Sequence, residues 1–197
     1  MPLHGPRDAL SFAFRRGQAG FSQLSGRTEA MLRRQAGKAL VLNYHRVVPD
    51  GVPPAGIEPG MYVTRSSFDH HLSWLKERFQ LRTLDELRRD PPRPGSERAP
   101  VAITFDDGWR DNLTVAWPVL QSHGVRATIF LVSDWIRAGR GDGSEFLRPD
   151  EVRDLAAAGM EFGAHTATHP SLPALADDAA RREMESSRQA VEVWTGR

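Results

Sequence analysis

The sequence predicts an α/β fold of parallel β/α units, arranged either as a barrel or as a doubly wound sheet. Two observations carry that expectation. Short, near-continuous apolar runs, the signature of strands covered on both faces, alternate with segments of helical period. Those runs end abruptly in carboxylate- or imidazole-bearing residues, and the carboxyl ends of strands are where parallel β/α architectures keep their sites. The 197 residues are 40% apolar, enough for a core that needs no covalent staples.

Residues 1–38 read as a basic helical arm ahead of the domain proper, which spans 39–197. Eight cationic side chains up to Arg46 face only Asp8 and Glu29, a local excess of +6. Leu10, Phe14, Phe21, Leu24, Met31 and Leu32 are interleaved with them. Such a pattern suits peripheral contact of segment 1–46 with anionic lipid or a protein partner. The plainer reading is an arm packed on its own domain, favoured because Gly17, Gly20 and Gly26 interrupt any long amphipathic face.

Ala39–Asn43 is expected as a short buried strand, followed by a breaker-rich loop from Pro49 to Gly60. Ser67 then reads as the N-cap of a helix through Phe79, with Phe68, Leu72, Leu75 and Phe79 on one stripe. Thr83–Arg89 is a second short helix, and Asp90–Pro100 a linker. Val101–Phe105 is an apolar strand stopping at Asp106-Asp107-Gly108. A helix around Leu113–Ser122 closes at Gly124, and Ala127–Val132 is the next buried strand. Arg148–Ala158 is a helix with Pro149 near its start and Gly159 as its stop. Met160–Ala164 is a fourth strand, ending in His165. A charge-rich helix from Asp177 to Trp194 stops at Gly196. Four strands are fewer than a complete barrel holds.

Several function classes are excluded at once. There is no cysteine, so disulfides, iron–sulfur clusters and thiolate zinc sites are ruled out, and any metal must be held by His and carboxylate. A net charge of +1 argues against a nucleic-acid partner. No apolar run approaches the roughly 20 residues of a membrane span. The first 30 residues show no secretory leader, so a cytoplasmic location is expected.

Two constellations carry chemistry. Adjacent carboxylates Asp106 and Asp107 at the end of a buried strand are unfavourable unless a cation or donor compensates them. One Asp there would suffice as a helix cap; the second points to a site. His165 and His169, four apart after a strand and before Pro170, are spaced either as ligands of one ion or as two surface imidazoles in a loop. Taken with the aspartates they make a set of two imidazoles and one carboxylate, suited to Zn²⁺ or another divalent first-row ion with positions left for water and substrate. Among the other histidines, His70 and His71 read as a solvated helix face, His123 as a cation at a helix end, and His4 as part of a frayed terminus. His45 directly follows the first strand and either lines the same pocket or makes a structural hydrogen bond.

TFDDG at 104–108, HTATHP at 165–170 and the intervening Ala127-Thr128-Ile129-Phe130 resemble the NodB-type polysaccharide deacetylases, carbohydrate esterase family 4. Tyr44-His45-Arg46-Val47 and the stretch from Leu155 to Glu161 are similar to that family's bacterial members. The resemblance covers roughly residues 39–197. It implies a distorted (β/α) barrel, here incomplete at its C-terminal end, and metal-dependent hydrolysis of N-acetyl or O-acetyl groups on a sugar polymer or glycoconjugate. It implies Asp106 as catalytic base and Asp107, His165 and His169 as metal ligands, with His45 and Trp109 expected at the substrate. The family's later motifs, including a histidine general acid, would lie beyond Arg197, so weak turnover by this chain is expected. A metal- or partner-binding remnant without catalysis is the alternative. Phosphoryl chemistry is disfavoured, because sites of that kind space their aspartates one residue apart.

Overall fold

The computed structural model describes residues 37–51, 58, 60–93, 98–138 and 145–196. The basic arm therefore lies outside the described residues apart from Gly37 and Lys38, as does His4. In chain order the elements are β1 (Leu40–Tyr44), β2 (Arg46–Val48), β3 (Tyr62–Thr64), α1 (Arg65–Arg78), β4 (Gln80–Leu81), α2 (Leu84–Arg89) and β5 (Pro100–Phe105). A π-helical turn (Asn112–Ala116) leads into α3 (Trp117–His123), then β6 (Thr128–Leu131), α4 (Ser133–Ala138), α5 (Pro149–Ala157), β7 (Glu161–Ala164) and α6 (Asp177–Thr195).

The main sheet is wholly parallel in the order β1-β5-β6-β7, with β4 paired to the start of β5. All six residues of β5 are buried, which is why that run is apolar but for Thr104, whose hydroxyl is hydrogen-bonded. Its first residue, Pro100, has no N–H to offer the ladder and is tolerated at a strand start. β2 and β3 form a separate parallel pair. The expected parallel β/α architecture is present; among the described residues β1 and β7 do not pair with each other, so the sheet is an open arc.

Register is what makes a site. Tyr44 aligns with Phe105, Phe105 with Ile129, and Ile129 with Phe162. His45 and Asp106 come one residue past that line and His165 three residues past it, and all three follow the carboxyl ends of their parallel strands, on the same side of the sheet. Beneath it the core runs from Phe68, Leu72 and Leu75 of α1 through Ile103, Phe105, Ile129 and Leu131 to Val191 and Trp194 of α6.

The structure corrects several local expectations. The first strand is an edge with alternate burial: Leu40, Leu42 and Tyr44 face the core, while Val41, 53% exposed, and Asn43 project from the opposite face, which nothing described covers fully. Thr64, not Ser67, caps α1: its hydroxyl accepts from the Ser67 N–H at 3.3 Å, while the Phe68–Phe79 stripe is buried as expected. The helix expected around Leu113 begins as a wider π turn. Pro118 has no N–H for the turn and its ring crowds the carbonyl four residues back, which the wider turn accommodates. β2, β3 and β4 were not expected; at three, three and two residues they are too short to show a period. Thr83, by contrast, closes a full capping box with Glu86 at the start of α2. Among the described residues no helix is long and apolar enough to cross a membrane.

Candidate active site

The chain leaves β5 through a sharp turn. Asp106 still follows the sheet, its N–H donating to the Tyr44 carbonyl at 3.0 Å. Asp107 and Gly108 then take φ of 73° and 77°, turning the backbone back on itself. Gly108 is needed twice over: its φ suits glycine, and a Cβ there would sit 2.6 Å from Leu131 Cδ2. This turn drives the Asp107 side chain inward, to 5% exposure.

Its two oxygens have different surroundings. Oδ2 accepts a hydrogen bond from the Trp109 indole N–H at 3.0 Å. Oδ1 is buried and has no hydrogen-bond partner. It lies 3.6 Å from His165 Nε2 and 3.6 Å from His169 Nε2, too far for hydrogen bonds. Three donor atoms thus converge, all within 4.8 Å of one another. Two ligands about 2.1 Å from one tetrahedral ion stand about 3.4 Å apart, so the spacing fits a divalent cation. An orphaned buried carboxylate oxygen flanked by two imidazoles also has the charge and donor types that such an ion requires.

The imidazoles are set by a strained loop. Thr166 and His169 have φ of 65° and 63°; with Asp107 they are the non-glycine residues of positive φ among those described. Glu183 of α6 holds this loop. One of its oxygens accepts from the Ala167 and Thr168 N–H groups, and the other from the Thr168 hydroxyl, each at 2.8 Å. Burial alone pushes the Glu183 carboxyl up, but the bonds from Thr168 and Ala167 together outweigh it and hold it below the usual range. The Ser133 and Asp134 N–H groups pin the same loop by donating to the Thr166 and Ala167 carbonyls.

Asp106 stands apart from the three converging donors. Its Oδ2 accepts from Asn43 Nδ2 at 2.7 Å, and Asn43 is oriented by the Thr104 hydroxyl donating to its Oδ1 at 2.8 Å. His45 Nε2 lies 3.8 Å from Asp106 Oδ2, and the His45 carbonyl accepts from the Asn112 amide. Trp109 is close too, yet its N–H is engaged by Asp107 and its ring carries the Arg46 guanidinium at 4.4 Å and the Phe146 ring at 4.4 Å.

The remaining histidines lie elsewhere. His71 is not simply solvated: it pairs with the Tyr44 hydroxyl at 3.2 Å, and burial, then the neighbouring His70, push its imidazole below the usual range. Tyr44, packed against Phe68 and Phe105, is pushed up to about 12 by burial. His123 does end its helix, where it pairs with Asp69 at 2.8 Å. Asn43, Glu183 and the part-buried Arg46–Asp111 pair, 2.6 Å apart, are the site's supports that the sequence reading missed. Asn43 had one signal, an amide closing an apolar run; Glu183 was hidden among the charges of its helix.

The family model for polysaccharide deacetylases matches residues 94–197. Among curated proteins, YxkH of Bacillus subtilis, named for the same family, is 32% identical over 131 residues, which are 64% of this chain and 44% of YxkH. The chitooligosaccharide deacetylase of Rhizobium leguminosarum bv. trifolii is 34% identical over 98 residues, 49% of this chain and 41% of the relative. The chain spans about half the length of the curated relatives it matches. Of solved structures, BC0361, a polysaccharide deacetylase from Bacillus cereus, superposes with a TM-score of 0.65 at 27% identity, over 81% of this chain and 48% of the other. The Streptococcus pyogenes deacetylase PplD, solved with acetate, has the same fold: TM-score 0.70, 23% identity, 81% and 70% coverage. Both chemistry-bearing motifs fall within the matched segment, and by that match the chain belongs to the polysaccharide deacetylase family.

Proposed function

We propose that this protein is a metal-dependent deacetylase, hydrolysing acetyl groups on an N-acetylated or O-acetylated sugar polymer or glycoconjugate. The observation that carries the reading is the bare Asp107 Oδ1, buried and equidistant at 3.6 Å from two imidazole nitrogens, beside a second carboxylate that is oriented independently. The relatives' activities support the substrate class.

Asp107 Oδ1, His165 Nε2 and His169 Nε2 would hold a divalent first-row ion such as zinc. When bound, such an ion acidifies water and polarises a carbonyl. Asp106 is the general base. Asn43 occupies its Oδ2, so Oδ1 is left to take the proton of the attacking water, and the Asn43 tether limits the rotamers the carboxylate can visit. Division of labour between adjacent aspartates follows from the turn, which sends one side chain toward the imidazole pair and leaves the other more exposed beside Asn43. His45, beside Asp106, contacts the substrate.

The test is acetate release from an N-acetylated oligosaccharide by the zinc- or cobalt-loaded chain, compared with Asp106→Asn. Acetate release that falls by about 10²–10⁴ in the variant, with metal content unchanged, is the expected result. Metal bound at one equivalent with no acetate released from N- or O-acetylated sugars would leave a metal-binding module and overturn the enzymatic reading.

A further inference from the structure

We infer that Trp109 is a positioning residue for the metal: its indole N–H caps Asp107 Oδ2 and so restricts the carboxylate to one-oxygen ligation through Oδ1. The inference rests on the reading of Asp107, His165 and His169 as metal ligands. Three observations lead to it. Asp107 is asymmetric, with Oδ2 receiving a 3.0 Å hydrogen bond from Trp109 and buried Oδ1 receiving none. A carboxylate with both oxygens bare can close on an ion with both, raising its coordination number at the expense of a position that water or substrate needs. A donor fixed on one oxygen prevents that and sets the orientation of the other.

The donor is itself fixed. Trp109 bridges to Phe146 across an antiparallel backbone pair, their rings 4.4 Å apart, and the flanking Arg110 N–H and Gly108 carbonyl bond to Glu145 and Leu147 at 2.9 Å. From the other direction the Arg46 guanidinium lies 4.4 Å from the indole centroid. Arg46 is held in turn by Asp111 at 2.6 Å, and Asp111 is anchored in the interior by the Val47 N–H and the Asn112 amide. A cation against an indole ring draws electron density from it and strengthens its N–H as a donor. A line of contacts thus runs from the buried Asp111 through Arg46 and Trp109 to the carboxylate, and a ring so engaged is a poor candidate for a sugar platform.

The experiment removes the donor and keeps the shape. Trp109→Phe is the first variant; installing 3-benzothienylalanine at position 109, which has sulfur where indole has N–H, is the second and preserves the packing on Phe146 and Arg46. Zinc binding to the metal-free full chain is measured by competition with a chelating dye, and cobalt is used for its visible spectrum. Both variants are expected to bind zinc about 10–100-fold more weakly. Their cobalt band should also lose intensity per bound ion, as a carboxylate freed to use both oxygens raises the coordination number. Unchanged zinc affinity and an unchanged cobalt spectrum in the benzothienyl variant would overturn the inference, the metal reading standing. Unchanged metal binding with weakened binding of an N-acetylated oligosaccharide would overturn it too and assign Trp109 to the substrate. If the unmodified chain takes up neither metal, the ligand assignment itself falls, and the inference with it.

Discussion

Replacing Gly108 with alanine tests whether the turn that delivers Asp107 has any slack. The new methyl would lie 2.6 Å from Leu131 Cδ2 and 3.0 Å from Ile136 Cδ1, at φ of 77°. Both neighbours are at side-chain tips, which ordinarily yield, but Leu131 and Ile136 are 0% and 1% exposed and packed into the core. A left-handed φ costs an alanine about 1–2 kcal/mol. Forcing a methyl into a filled core adds about 1–3 kcal/mol. The sum, about 2–5 kcal/mol, corresponds to roughly 4–20 °C in a chain of this size, at about 2–4 °C per kcal/mol. Gly124→Ala is the internal control: φ is 65° and nothing lies within 4 Å, so only the backbone penalty applies. Scanning calorimetry of the metal-free chains compares the two. Leu131→Ala in the Gly108→Ala background should cost less than it does alone, because the shortened side chain makes room for the methyl. Equal melting temperatures for Gly108→Ala and Gly124→Ala would refute the steric argument.

Three further outcomes are expected. Asp107→Asn should lose most of its metal by elemental analysis, whereas Asp106→Asn keeps it, since only Asp107 faces the two imidazoles; indistinguishable metal contents would contradict that division. Glu183, held below the usual range by its loop partners, contributes stability that is present above the ordinary glutamate range and lost as pH falls through its folded value. Melting temperature between about pH 3 and 6 should therefore drop less steeply in Glu183→Gln than in the unmodified chain. Tyr44, pushed up to about 12, gives the opposite sign: the stability tied to its neutral form is complete below about pH 10 and disappears as pH rises through its folded value. Tyr44→Phe should flatten alkaline unfolding and remove the high-pH step from ultraviolet titration.

The parts of this fold legible in the sequence were those where one physical demand dominates. β5 is buried along its whole length and reads as a near-continuous apolar run; α1 buries one stripe and reads with helical period. The strand ends were legible as well, because two carboxylates or two imidazoles beside an apolar run have few structural explanations. Less legible were elements whose identity depends on partners. β4 exists because two residues find the edge of β5, and β2 and β3 because they find each other. Asn43 and Glu183 are ordinary surface residue types until the register of β1 and the docking of α6 bring them to Asp106 and to the histidine loop. Trp109 is expected at the substrate from the resemblance alone; Gly108 marks a sharp turn in the sequence, but that the turn brings the Trp109 indole onto Asp107 depends on the left-handed φ of Asp107, which no local pattern announces.

Asp107, Thr166 and His169 share a backbone conformation that each could leave at a gain of about 1–2 kcal/mol. That gives the molecule an uneven margin: its weakest local economy sits where the donor atoms gather, while β5 and the strand beside it have none of this strain. Selection for thermal resistance alone would find those three positions early, with glycine or asparagine in place of each, because those residues hold a left-handed φ at less cost. A variant library screened only for melting temperature should thus keep the backbone and lose the donor atoms of Asp107 and His169, and the screen that retains them is one for melting temperature in the presence of a chelator followed by recovery on adding zinc.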